Sequence, residues 1–119
     1  MTQAEGPAVP EPLLITQAAT ADGVTVVTLR GEVDYTSGAR LTDTVVACME
    51  AGRNTVVDMS AVTFIDSTGI NTLVAARQAA RNNWLRLVVP PGPVLRVVRL
   101  VGLDTVMGCH ATLEEALNA

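Results

Sequence analysis

The sequence predicts an α/β fold, a mixed and mostly parallel sheet of about five strands with about four helices. Three observations carry this. A strand-like run, Leu13 to Ala19, and the β-branched run Val24 to Leu29 flank the turn dipeptide Asp22-Gly23, the pattern of an opening hairpin. Helix-periodic and strand-like segments then alternate to the end of the chain, which implies parallel strands joined by right-handed crossovers. The run Asn54 to Met59 is nearly continuous in apolar residues, as in a central strand covered on both faces.

The elements follow in order. Residues 1–12 hold Pro7, Pro10 and Pro12 among small and polar residues and read as a flexible N-terminal tail, leaving 13–119 as one domain. Leu13 to Ala19 and Val24 to Leu29 are the hairpin strands, and Gly31-Glu32-Val33-Asp34 leads out of the second. Leu41, Val45, Cys48 and Met49 give a first helix over about Ser37 to Ala51, stopped by Gly52. After Asp66-Ser67, Ile70, Leu73, Val74 and several alanines form the inner stripe of a second helix, ended by Asn82-Asn83. Leu85 to Val89 is a strand closed by Pro90-Pro91-Gly92-Pro93. Pro93 opens a third helix and Gly102 ends it. Thr105 to Cys109 reads as a last strand. Thr112 and Glu115 have capping-box spacing for a short terminal helix.

Composition narrows the function. The chain has 119 residues, 49% apolar and 17% charged, enough for one core and incompatible with general disorder. No apolar run approaches the roughly 20 residues of a membrane-spanning helix, and the first residues lack the pattern of a secretory signal, so the expected location is cytoplasmic, with no membrane partner. The net charge of −4, the absence of lysine and the scattering of the arginines argue against a nucleic-acid surface. Cys48 and Cys109 read as two buried thiols.

Phe64-Ile65-Asp66-Ser67-Thr68-Gly69-Ile70 is the most informative segment. It sets small hydroxyls at the start of a helix, where free N–H groups and the helix dipole favour an anion. By itself that fits a helix cap at Asp66 or Ser67, with the Thr68 hydroxyl supporting the first turn. Asp34 reads alike as a cap or loop residue ahead of the first helix. Asp58 reads as a strand-end residue bonding to loop N–H groups, and Trp84 as packing. Catalytic chemistry finds no companions. His110 stands alone without a metal-ligand cluster, and no Gly-x-Ser-x-Gly elbow surrounds Ser67. An enzyme using Ser67 as nucleophile is therefore disfavoured, and neither a cofactor nor a metal is expected.

The same segment resembles the phosphoacceptor motif of STAS domains in bacterial anti-sigma-factor antagonists. Leu29-Arg30-Gly31-Glu32-Val33-Asp34 is similar to that family's Leu-x-Gly-Glu-Leu-Asp, and Val57-Asp58-Met59-Ser60 to its Asp-Leu-Ser strand end. Pro93 to Arg96 and Leu100 to Leu103 are similar to its late helix and Gly-Leu terminus, so the likeness spans roughly residues 13–117. The resemblance implies a partner-switching regulator that binds an anti-sigma-factor serine kinase, releases a sigma factor, is switched off by phosphorylation at Ser67, and is restored by a phosphatase. It implies partner contacts at Asp34, Asp66, Ser67, Thr68 and Gly69. A docking or sensor module without a phospho-switch, in lipid transport or small-ligand sensing, is the alternative. Four departures stand out: Thr68 replaces a second serine, Ile70 a leucine, Gly38 an alanine, and Asn83-Trp84 a Gly-Gly turn.

Overall fold

The computed structural model describes residues 12–119; the tail expected over 1–12 lies, apart from Pro12, outside them. Strands β1 (Leu14–Ala19) and β2 (Thr25–Val33) form the antiparallel hairpin. Helix α1 (Gly38–Glu50), strand β3 (Thr55–Ile65), helix α2 (Ser67–Gln78) and strand β4 (Leu85–Val88) follow. Helix α3 (Pro93–Leu100), strand β5 (Gly108–His110) and helix α4 (Leu113–Asn118) complete the chain. The five strands lie in chain order, and β2 through β5 are all parallel. This is the expected mixed α/β sheet with four helices.

One face of the sheet carries the main core. Val27, Val57 and Leu87 align across three strands and are fully buried beneath Leu41, Val45 and Met49 of α1, Leu73 and Ala76 of α2, and Val98 of α3. On the other face α4 makes a smaller cluster, with Ala116 against Val56 and Val88. Arg86 reaches the Ala116 carbonyl at 3.0 Å, and its guanidinium lies 3.6 Å from the centre of the Trp84 ring. Trp84 thus packs, as expected. The glycine stops at Gly52 and Gly102 have φ of 77° and 78°, values that side chains resist.

Four boundaries differ from expectation. Strands β2 and β3 are longer, reaching Val33 and Ile65, because shifts in their register break the alternation by which a strand is read. Helix α2 ends at Gln78, short of Asn82. Asn82 does take the left-handed conformation at φ 66°, but inside a separate turn. That turn is held by the Asn83 amide, which donates to the Arg53 carbonyl at 2.6 Å and the Met49 carbonyl at 3.2 Å. The last strand is Gly108–His110, not Thr105 to Cys109. Burial of Leu103 and Met107 winds residues 103–105 into a 3-10 turn, overriding the β propensity of Thr105 and Val106. In α4, Thr112 accepts from the Glu115 N–H at 3.1 Å, while the Glu115 carboxylate accepts from Ala111, one residue before the cap.

Candidate functional site

The site forms where β2 and β3 end side by side. Val33 pairs with Ile65, and just beyond them the Asp66 N–H donates to the Val33 carbonyl at 3.1 Å. This bond ties the start of α2 to the loop that begins α1, so Asp34 and Ser67 belong to neighbouring loops on one end of the sheet.

Each residue of the α2 start has a separate task. Asp66 is the N-cap, extended in backbone, and its Oδ1 accepts from the Gly69 N–H at 3.1 Å. The cap is therefore Asp66 and not Ser67. Ser67 is the first helical residue and is exposed. The N–H groups of Ser67 and Thr68 lie in the first turn, where a helix offers no carbonyl partner. Thr68 is half-buried against α1, and its carbonyl accepts from the Thr72 hydroxyl at 3.0 Å. Gly69 is buried so closely that a Cβ would lie 2.7 Å from side-chain atoms of both Val33 and Ile65. Only glycine fits there.

The Asp34 loop is braced by local bonding. Asp34 Oδ1 accepts from the Thr36 N–H at 2.9 Å and the Thr36 hydroxyl at 2.6 Å. The buried Ser37 hydroxyl accepts from the Asp34 N–H at 3.1 Å and lies 3.1 Å from the Asp34 carbonyl. The Thr36 hydroxyl, foremost, holds the Asp34 carboxyl below its ordinary range, partly opposed by desolvation. It is an anion throughout the physiological range.

Sequence reasoning missed two exposed aromatics at this end. Tyr35, 77% exposed, stands at the tip of the Asp34 turn, and Phe64, 47% exposed, pairs with Glu32 just before the site. They are two of only three aromatic residues in the chain. Their signal was adjacency to Asp34 and Asp66, which periodicity does not register.

Other candidates fall elsewhere. Asp58 bonds locally, accepting from the Ser60 N–H and hydroxyl, and β3 runs on past it rather than ending there. Cys48 is a buried free thiol; Cys109, half-buried and free, has its thiol pushed up to about 11, mainly by burial. His110 ends β5, and among the described residues no three His, Cys, Asp or Glu gather as a metal site. No described helix is long and apolar enough to cross a membrane.

Comparison with known proteins agrees with this architecture. The STAS domain family model matches residues 16–116. The chain is 31% identical over 111 residues to the anti-sigma-F factor antagonist RsfB of Mycobacterium tuberculosis, covering 92% of this chain and 90% of that protein. The crystal structure of an anti-sigma factor antagonist from Mycobacterium paratuberculosis superposes with a TM-score of 0.86 at 27% identity, over 94% of this chain and 97% of that one. The Bacillus cell fate determinant SpoIIAA in its phosphorylated form shares the fold, with a TM-score of 0.61 at 20% identity over 88% of this chain and 97% of that one. Sheet order, element count and the match over nearly all described residues lead to one conclusion: this chain belongs to the STAS domain family.

Proposed function

We propose that this protein is an anti-sigma-factor antagonist of the cytoplasm, a partner-switching regulator whose state is set by phosphorylation of Ser67. The observation that carries the reading is exposed Ser67 at the first position of α2, which Asp66 caps, on the same end of the sheet as the hydrogen-bonded Asp34 loop. Likeness to a named antagonist supports the partner class. The unmodified face, with Asp34, Asp66, Ser67, Thr68 and Gly69 at its centre, binds an anti-sigma factor that is itself a serine kinase. Within that complex the Ser67 oxygen attacks the γ-phosphorus of ATP, ADP departs, and the hydroxyl proton passes to a base of the kinase. A phosphatase later hydrolyses the ester. In this role the chain is a substrate of enzymes and carries out no chemistry of its own.

The added phosphate brings about −1.5 to −2 charges at pH 7. The helix start tolerates that charge, through free N–H groups and the dipole. Association does not, because a dianion next to Asp66, on the same end of the sheet as Asp34, must be desolvated against whatever acidic groups the partner presents.

Incubation with a candidate anti-sigma kinase and ATP, followed by phosphate mapping, tests the proposal. Phosphate should appear on Ser67. Ser67→Ala should stay unmodified and still bind, and Ser67→Glu should bind about tenfold more weakly, ~1.4 kcal/mol. Phosphate elsewhere, or equal binding by the two variants, overturns the switch. Binding without any modification favours the docking module.

A further inference from the structure

The geometry points to a positioning role for Gly38, acting through Thr68 on Ser67. Gly38 is the first residue of α1 and is buried. A Cβ placed on it would stand 2.8 Å from the Thr68 methyl carbon, closer than two carbons approach without something moving. Thr68 follows Ser67 directly, so the methyl of one residue rests on the bare backbone where α1 begins. In a helix threonine has two χ1 rotamers open to it, so moving its methyl off the notch takes a rotamer change that moves the hydroxyl as well, or a shift of the helix start.

A second contact continues the same seam. One turn further along both helices, the hydroxyls of Thr42 and Thr72 meet at 3.1 Å, and Thr72 also donates to the Thr68 carbonyl. Thr72 is only 5% exposed and Thr42 half-buried, so a misplaced Thr72 hydroxyl is expensive. Depth and register of the α1–α2 contact are therefore defined twice, by the Gly38–Thr68 notch and by the paired threonines.

The consequence reaches the candidate site because both helix starts carry it. Gly38 is one residue from Ser37, whose hydroxyl braces the Asp34 turn. Thr68 is one residue from Ser67. The notch is thus a second staple between the two loops, on the helix side, complementing the Asp66–Val33 backbone bond on the sheet side. Two departures noted in the sequence, glycine at 38 and threonine at 68, are one matched pair. The added methyl occupies the space of the missing one. Gly38 is accordingly a positioning residue that sets Ser67 relative to Asp34, and this rests on Ser67 being the phosphoacceptor.

The test is a rescue experiment with full-length protein and an anti-sigma kinase that phosphorylates it. Gly38→Ala should lower kcat/KM for Ser67 phosphorylation by about tenfold or more, since small misplacements of a reacting group are costly. Gly38→Ala/Thr68→Ser, which removes the opposing methyl, should recover most of that loss. Thr68→Ser alone is the reference for the double variant, since it carries the same change on the proposed partner-binding face without the added methyl at position 38. Thermal melting of each variant separates placement from folding. Two results overturn the inference: wild-type kinetics for Gly38→Ala, or a double variant as slow as Gly38→Ala. If Gly38→Ala fails to fold, a Gly38→Ala/Thr68→Ser that folds but is phosphorylated tenfold more slowly than Thr68→Ser overturns it instead. Failure of wild-type Ser67 to accept phosphate overturns the proposed function as well, so the two failures are distinguishable.

Discussion

At the scale of single residues, capping and the proposed partner recognition meet on Asp66. Its carboxylate accepts one of the orphan N–H groups of α2 and also contributes negative charge beside Ser67. The two contributions can be separated. Asp66→Ala should lose about 1 kcal/mol of stability with the cap, whereas Asp66→Asn retains a carbonyl acceptor and should cost much less. Denaturant unfolding measures this, and titration with the partner measures recognition. A stable Asp66→Asn that binds weakly assigns the charge to the interface; one that binds normally confines Asp66 to capping. Gly69 admits no such separation, since any side chain there collides with Val33 and Ile65 before recognition is affected.

At the scale of elements, the start of α2 is built to accept charge without unwinding. Far-UV circular dichroism of the phosphorylated protein should match that of the unmodified one, because the anion adds to a helix terminus that already favours it. Loss of helical signal on phosphorylation would contradict this. The elements also show where sequence was legible. Helices α1, α3 and α4 could be read closely, since each carries its own signals: periodic apolar residues before Gly52, Pro93 with Gly102, and Thr112 with Glu115. Strand β3 was read six residues short because Ser60, Thr63 and Phe64 are exposed around a shifted register, and no local rule shows such a shift. The last strand was misplaced because tertiary burial of Leu103 and Met107 outweighs the local preference of Thr105 and Val106.

At the scale of the whole molecule, the site was legible in part. The Asp66 to Gly69 turn announces itself by composition, and Asp34 by its place before a helix. The pairing of Gly38 with Thr68 could not be read, because it joins positions 30 residues apart whose fit depends on how deeply two helices pack. The sheet is covered unevenly, with three helices on one face and α4 alone on the other. Strand order adds a kinetic consequence. Every strand pairs with its neighbours in the chain, so each parallel pairing closes only one crossover, and the hairpin, α1, β3 and α2 can assemble before β5 arrives. Native-state hydrogen exchange should follow that order, with the slowest amides in β2 and β3 and the three-residue β5 opening first. Both loops of the candidate site are rooted in the slow-exchanging part, so the end of the chain could open and close while Ser67 keeps its place.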